Sequence, residues 1–349
     1  MMGAVPSGDD AALWLLACVP ALALAIDRVL GEPAARWHPV VWMGRYLAWA
    51  GARVAPAAGA PRVRSDTRTP VRSDTDTDAR TPVRSDERIF WCAALAWCGA
   101  ASAVFALAWW LQAWVLQQPV WLAALALGLL LKPLLAWAML HDEVLAVERA
   151  LGESLDAGRA QLARLVSRDV SALTASEVRE SAIESLAENL NDSLVAPLFW
   201  FVLLGLPGAA LFRFANTADA MWGYPGVHAL NGVPRDWRWA GKWAARADDV
   251  LAWAPARVTA VLIALVGRLR APARLAEQAA RTPSPNSGWP MAAMALALGV
   301  QLRKPGAYSL NGAARVPEPA DTLRACAIGS ATALTATVGA CAVLLGWWC

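Results

Sequence analysis

The sequence predicts an all-α protein that passes through a membrane several times. Three observations carry that expectation. Hydrophobic residues make up 57% of the 349 positions and charged residues 17%, against roughly 45–50% and about 25% in soluble domains. Four apolar stretches approach or exceed the roughly 20 residues that a helix needs to cross a hydrocarbon core of about 30 Å. Strand signals are scarce, and the polar regions between those stretches carry helical spacing. The 20 Trp gather near the ends of apolar runs, as at Trp42, Trp49, Trp109, Trp110, Trp347 and Trp348, in the manner of an interfacial belt. A net charge of +3, with no Lys/Arg patch interleaved with aromatics, argues against nucleic acid as a partner. The six Cys form no Cys-x-x-Cys, so they read as small buried hydrophobes.

The elements follow in order. Residues 1–50 hold a first span, Leu13 to Ile26, framed by Asp10 and Asp27. The residues before it carry Asp9 and Asp10 and no positive charge, so it reads as an uncleaved span rather than a signal peptide. Residues 51–88 form a low-complexity insert in which Val-Arg-Ser-Asp recurs at Val63, Val71 and Val83. With no apolar period it is expected to be a disordered linker without chemistry. Residues 89–140 make a transmembrane hairpin from Phe90–Leu116 and Val120–Leu140. Residues 141–193 read as three soluble helices. One reaches Leu151, a second runs from Ser154 to Val166, and a third runs from Thr174-Ala-Ser-Glu177, a capping-box pattern, to Leu190. Residues 194–324 contain two interrupted apolar segments among motif loops. Leu194–Phe212 is broken by Pro197, Gly205, Pro207 and Gly208, and Val250–Val266 carries Pro255 and Arg257. Residues 325–349 give the last span, Cys326 to Trp348. The count is four spans plus two partial or re-entrant segments. Eleven Arg lie between Asp27 and Ile89 and none in the N-terminal tail, so the positive-inside rule places that loop in the cytoplasm.

Several polar constellations stand at the membrane boundaries. Glu177, Glu180, Glu184, Glu188 and Asp192 recur every three or four residues and so share one helix face. Like charges stacked this way repel one another. Together with Asn189 and Asn191 at a membrane entry, their oxygens suit Mg²⁺. Asn216-Thr217-Ala218-Asp219 follows an apolar run directly, a costly place for unpaired polar groups. Arg246, Asp248 and Asp249 precede the next apolar segment. Ser284-Pro285-Asn286 lies in a turn-rich loop. Each also has a bland reading, as a solvated face, a helix cap or a turn. Gly-x-x-x-x-Gly-Lys-Ser/Thr, Gly-x-Gly-x-x-Gly and Gly-x-Ser-x-Gly are all absent, so no known phosphate loop or nucleophile elbow is present.

Read together, these blocks resemble the cobalamin-biosynthesis family called CbiB or CobD, the adenosylcobinamide-phosphate synthases. The carrying residues are Asp27-Arg-Val-Leu-Gly31-Glu-Pro33, His38-Pro39-Val40, Met43-Gly44-Arg45 and Arg168-Asp169-Val170-Ser171. Glu184-Ser-Leu-Ala-Glu188-Asn189 with Asp192 follows, then Asn216-Thr-Ala-Asp219 with Tyr224. Ala245-Arg246 with Asp248-Asp249, Pro255-Ala256-Arg257, and Ser284-Pro285-Asn286 with Gly288-Trp289-Pro290 complete the series. The blocks fall in order over Asp27 to Gly312, and the 51–88 insert departs from the pattern. The resemblance implies a multi-pass cell-membrane enzyme that uses ATP and Mg²⁺. It would join aminopropanol, or its O-phosphate, to a propionate carboxylate of (adenosyl)cobyric acid. On that reading Glu184, Glu188, Asn189, Asp219 and Asp248 are catalytic. Asp27, His38, Arg168, Asn216, Tyr224, Arg246, Arg257, Ser284, Asn286 and Gly288 bind substrate, and Glu184, Glu188, Asp192 and Asp249 hold metal.

This assignment raises a topological demand. If Leu194–Phe212 crosses fully, Asn216 and Asp248 fall on the far side from Glu188 and Asn286. A single cytoplasmic site therefore requires Leu194–Phe212 to be a re-entrant hairpin, with Val250–Val266 embedded without crossing. Two other classes compete with the synthase: a membrane sensor or regulator of the related AmpE-like branch, and a corrinoid transporter. The Asp248-Asp249 and Ser284-Pro285-Asn286 blocks favour the synthase.

Overall fold

A computed structural model describes residues 8–58, 84–269 and 271–348 of the chain. The first apolar stretch is two helices, α1 (Gly8–Ala17) and α2 (Val19–Leu30). They meet at Cys18, where Pro20 withholds an N–H from the preceding turn. α3 (Pro39–Val54) starts on His38, whose Nδ1 accepts the Val40 N–H at 3.2 Å. α4 (Arg84–Val115) and α5 (Val120–Leu131) form the expected hairpin. Helix thus covers both edges of the 51–88 insert; residues 59–83, where disorder was expected, lie outside the described residues. Beyond α5, Pro133 forces a 3₁₀ turn over Lys132–Leu134 before α6 (Trp137–Glu153). The expected single span to Leu140 is therefore kinked.

α7 (Leu155–Leu162) is shorter than its sequence suggested. α8 (Ala175–Leu190) begins with the predicted capping box, complete on both sides. α9 (Ala196–Leu204), α10 (Leu206–Ala218), α11 (Lys242–Val266), α12 (Leu275–Ala279), α13 (Gly288–Leu298) and α14 (Pro319–Trp348) complete the helices. Two short antiparallel hairpins were not expected. β1 (Val227–Leu230) pairs with β2 (Val233–Asp236), and β3 (Leu302–Lys304) with β4 (Tyr308–Leu310). Asn231 and Gly232 join β1 to β2, both with positive φ (51° and 76°), as a two-residue type I′ connection requires.

Among the described residues, four segments are long and apolar enough to cross a membrane: Asp86–Val115, Val120–Glu153, Lys242–Val266 and Pro319–Trp347. Their packing gives the directions. α2 and α5 run the same way, with Leu22 against Gly128 and Asp27 against Lys132. α14 runs opposite to α2, since its early Gly329 meets Trp137 and its later Cys341 lies beside Ala21. α4 is antiparallel to α5 across a short turn. The starts of α4 and α14 therefore share one side with the ends of α2 and α5.

α9 and α10 form a hairpin that enters and leaves by that side. At its tip, Gly205 takes a φ of +70°, and the Leu206 N–H donates to Gln112 Oε1 at 2.7 Å, near the far end of α4. At its base, Asn216 Nδ2 donates to Asp192 Oδ2 at 3.2 Å. Gly208 lets the two legs close, because a Cβ there would run into the Trp200 carbonyl. α11 is one continuous helix rather than the partial segment expected, and it is long enough to cross. Both its ends nevertheless stay near the same side. Trp243 packs edge-on against Phe90 and Trp97, each at 6.3 Å, near the start of α4. Gly267, at the other end, packs against Ala297 and Ile328 in the first third of α14.

The main core joins α2, α5, α6, α8, α9, α13 and α14 through Leu131, Val144, Ile183, Leu186 and Leu194. A second, aromatic core gathers Leu47, Trp97, Phe214, Trp222 and Trp237. It ties β1–β2 to α3, α4 and α10.

Candidate active site

The two hairpin legs and α11 deliver acids to one place. A cavity of about 210 Å³ is lined by Glu188 from the end of α8, Asp192, Asp219, and Asp248 and Asp249 from α11. Tyr224, Ser284 and Asn286 also line it. Asp192 and Asp219 both stand in π-helical turns, Asn191–Val195 and Asp219–Gly223. These turns sit at the entry and exit of the α9–α10 hairpin, and π turns occur often at functional sites. Asn191 fixes the first turn to α11, as the Thr259 hydroxyl donates to its Oδ1 at 2.9 Å.

The loop after α12 is fastened to the same acids. Asn286 Nδ2 donates to the Asp249 carbonyl at 2.8 Å, and Ser284 Oγ accepts the Asn286 and Ser287 N–H groups at 3.2 Å. Arg257 orients Asn286, donating to its Oδ1 at 2.8 Å while lying over the Trp253 and Trp289 rings. Gly288 opens α13 against α12. A side chain there would run into the Ala279 carbonyl and the Thr282 hydroxyl.

The cavity is short of cations. Arg213 of α10 stands beside Asp192 without lining the cavity, and it donates to the Asp192 carbonyl at 3.2 Å and Ser193 Oγ at 3.4 Å. Glu188 and Asp219 have no hydrogen-bond or ion-pair partner among the described residues, and Asp248 Oδ1 is buried without a donor. Burial, then the charges of Asp192 and Glu184, push the Glu188 carboxyl up to about 7. Burial and the neighbouring Asp249 and Asp192 push Asp219 to about 6. Burial also raises Asp192, against the donors Asn191 and Asn216. One turn deeper, burial raises Glu184 to about 7 against the pull of Arg168. Arg168 also donates to the Ser181 hydroxyl, and the Tyr308 hydroxyl of β4 reaches Glu184.

The rest of the acid stripe is structural. Glu177 completes the capping box. Glu180, fully buried, takes the Arg303 N–H at 2.7 Å and its guanidinium at 2.9 Å. Arg179 turns away to Glu148 at 2.8 Å.

Other sequence-derived candidates lie outside the cavity. Asp27 is 1% exposed; it accepts the Ala138 N–H at 2.8 Å and pairs with Lys132 at 3.3 Å. His38 caps α3 and meets Glu32 at 3.0 Å through Nε2. Glu32 in turn meets Lys132 at 3.0 Å and lies within electrostatic reach of Arg213. This second cluster thus borders the acid site without lining it. Asn189 donates back to the Ser185 carbonyl of its own helix at 2.9 Å. Arg246 is exposed on α11. Sequence reasoning missed Arg213 and Tyr308, and it gave Glu32 no role although the Gly31-Glu32-Pro33 block stood out. An arginine embedded in an apolar run was the available signal for Arg213.

The acids line walls rather than meet at a point. Among the described residues, no three His, Cys, Asp or Glu side chains stand close enough to hold a metal ion between them. That suits Mg²⁺, which keeps several waters and takes one or two carboxylates plus substrate phosphate. The unpartnered Asp248 Oδ1 and the excess of carboxylates supply donors of the right kind.

Comparison with known proteins extends over most of the chain. The family described as CobD/Cbib protein matches residues 20–335. A probable cobalamin biosynthesis protein CobD of Methanothermobacter thermautotrophicus is 36% identical over 330 residues, covering 93% of this chain and 96% of its own. The cobalamin biosynthesis protein CobD of Rhodobacter capsulatus is 35% identical over 345 residues, covering 94% and 98%. That of Chromobacterium violaceum is 37% identical over 284 residues, covering 80% and 79%. No solved structure matches the chain.

Proposed function

The chain belongs to the CobD/Cbib family, and from that premise we propose that it acts in cobalamin biosynthesis as an adenosylcobinamide-phosphate synthase. The reaction is an ATP-dependent ligation. A propionate carboxylate of (adenosyl)cobyric acid is activated by phosphoryl transfer, and the amine of aminopropanol or its O-phosphate displaces the phosphate to leave an amide. The observation that carries the reading is the cavity of about 210 Å³ walled by five carboxylates without a matching cation.

Its size and charge select the small partner. Drug-sized ligands occupy roughly 300–1,000 Å³, so this cavity takes the amine end of aminopropanol, while the corrinoid rests outside. An ammonium group is drawn to the carboxylates. It must lose its proton before it attacks, and Glu188, held near 7, is poised to take it. Tyr224 on the exposed rim and Asn286 in the wall offer hydrogen bonds to the amide groups of a corrin, with Asn216 bonded to Asp192 beside them. Arg257 keeps Asn286 in place for that role. Glu188, Asp192, Asp219, Asp248 or Asp249 would hold Mg²⁺, which would supply the charge neutralisation that phosphoryl transfer needs. The arginine-rich segment between Asp27 and Ile89 supports a cytoplasmic position for this face by the positive-inside rule, in a chain that we assign to the cell membrane.

The test is amide formation by membranes carrying the protein, supplied with cobyric acid, aminopropanol O-phosphate, ATP and Mg²⁺. Mass spectrometry of the corrinoid should show the mass of the amide product, dependent on ATP and lost in Glu188→Gln. Folded protein that gives no product with either amine, even with adenosylated corrinoid, contradicts the proposal.

A further inference from the structure

A second charged hollow lies at the other end of α11, and its sign is opposite. A cavity of about 720 Å³ opens between the end of α11, the end of α13 and the start of α14. Among the described residues its charged lining consists of Arg268, Arg274 and Arg324, with no Asp or Glu, and Asn311 adds an amide. These guanidiniums are not neutralised. Arg274 reaches only Asn311 Oδ1, at 3.3 Å. Asp321 stands 3.7 Å from Arg324, but Arg315 already holds both of its oxygens at 2.6 and 2.8 Å. The Arg268 guanidinium has no hydrogen-bond or ion-pair partner among the described residues.

The backbone singles out Arg268 as well. It closes α11 with a φ of +53°, in the left-handed region where glycine is the usual residue. The turn it completes is tight, with the Leu269 N–H bonded to the Ala264 carbonyl at 2.8 Å. A strained non-glycine residue points to use of its side chain. Side-chain capping is not that use, because among the described residues neither the Arg268 nor the Arg324 guanidinium donates to the last carbonyls of α11 or α13. Those two helix ends bring about half a negative charge each, which three full positive charges exceed. The hollow also borders apolar surface: Leu265 and Val261 on α11 and Leu323 on α14 are exposed, as at a lipid-facing edge.

We propose that Arg268, Arg274 and Arg324 bind a phosphate group at the membrane surface. Guanidiniums bind phosphate bidentately and more strongly than neutral donors do. The site is separate from the acid cavity. At 1.5 Å per residue, about 27 Å of helix lies between Asp249 and Gly267, so this phosphate is not the one transferred. The inference does not depend on the proposed reaction.

Two arms of one experiment identify the source of the phosphate. The full-length protein is placed in nanodiscs of equal phosphatidylglycerol and phosphatidylcholine, and native mass spectrometry reads the lipid retained. Inorganic phosphate is titrated separately against the protein in nonionic detergent by calorimetry. Wild type should retain phosphatidylglycerol over phosphatidylcholine by about tenfold, and the triple variant Arg268→Ala, Arg274→Ala, Arg324→Ala should lose that preference. Binding of inorganic phosphate by wild type but not by the triple variant means that the free anion suffices. Retention of the anionic lipid alone assigns a headgroup. If the triple variant does not fold, Arg324→Gln alone should lower the preference about threefold. A wild type with neither lipid preference nor phosphate binding overturns the proposal, as does a folded variant that equals it in both.

Discussion

Replacing Glu188 by glutamine should make the metal-free protein more stable while abolishing amide formation. Glu188 faces Asp192 and Glu184 with no donor of its own, and its carboxyl rises from 4.5 to about 7 on folding. An acid whose pKa is raised by folding stabilises the folded state fully below its unfolded value. That contribution is lost as pH rises through the folded value. Between about pH 4.5 and 7 the wild type therefore loses stability, and above pH 7 it carries the whole cost of ionising Glu188. At 1.36 kcal/mol per unit the shift amounts to about 3 kcal/mol. The cavity opens to water, so about 1–3 kcal/mol is the expected gain for Glu188→Gln above pH 7. Near pH 4.5 the gain should vanish. The assay is unfolding of the purified protein in detergent across that pH range, with chelator present. Saturating Mg²⁺ should stabilise wild type, by about 2.7 kcal/mol at a hundredfold excess over its dissociation constant, and the variant less. A Glu188→Gln protein that is less stable than wild type at pH 8 would refute the reasoning, as would a gain independent of pH.

Three further outcomes follow from the packing. Arg213→Met removes the hydrogen bonds to the Asp192 carbonyl and Ser193 Oγ together with a positive charge near the Asp192 carboxylate and should cost about 1–3 kcal/mol, as an unsatisfied buried acceptor does; adding Asp192→Asn should recover part of it, read by detergent unfolding midpoints. Gly288→Ala forces a methyl group against the Ala279 carbonyl, which displaces the Asn286 turn; amide formation should fall about tenfold or more, and an unchanged rate would remove that turn from the site. In a background without native cysteines, Ala220→Cys and Ser154→Cys should react with an impermeant thiol reagent from the same side of the membrane. Leu204→Cys, at the hairpin tip, should not be labelled from that side. Labelling of Ala220 and Ser154 from opposite sides would show that α9 and α10 cross the bilayer as a single segment.

Much of the fold was legible because burying apolar surface in lipid needs long, uninterrupted runs, and such runs read directly. The breaks were legible too, through Pro207 and Gly208. Misreadings came where one residue redirects a helix: Pro133 kinks the second span, and Pro20 helps divide the first. Pro255 does not interrupt α11, although it seemed to argue against a full-length helix. The β1–β2 hairpin carried the strongest short-range signal available, Asn231-Gly232 between Leu230 and Val233, but the Trp-rich sequence after it masked the alternation. In the site, the acid face of α8 was legible from spacing alone. Its partition was not. Whether an acid meets Arg303, caps its own helix or faces a cavity depends on partners more than a hundred residues away, as for Glu180. Asp27 and His38 illustrate the converse. They stand in a motif block, yet the structure uses them to hold α6 and α3 and to engage Lys132 and Glu32.

The hairpin explains why so many polar residues stand at the edge of an apolar segment. A segment that crosses the bilayer separates its two ends by the full hydrocarbon thickness, about 30 Å. One that turns at Gly205 brings its ends into contact, and residues 24 apart in sequence, Asp192 and Asn216, share a hydrogen bond. The π turns at both ends each insert one extra residue into a helical turn, which re-aims the acid without exposing the apolar legs. The Asp192 carboxylate then faces Glu188 and Asp219 while Leu194 and Phe214 remain in the core. Backbone freed by such a turn must find partners within the protein, and Arg213 donates to the Asp192 carbonyl, while Thr259 and Asn216 hold the side chains of Asn191 and Asp192. The acid cavity is therefore a property of the hairpin's closure. Any change that splays its legs should scatter the carboxylates before it unfolds the protein. Gly208→Val is such a change, since its Cβ meets the Trp200 carbonyl at the crossing. It should abolish Mg²⁺-dependent stabilisation while leaving the helical content intact by circular dichroism. Retention of the Mg²⁺ effect in that variant would place the metal somewhere other than between the hairpin's ends.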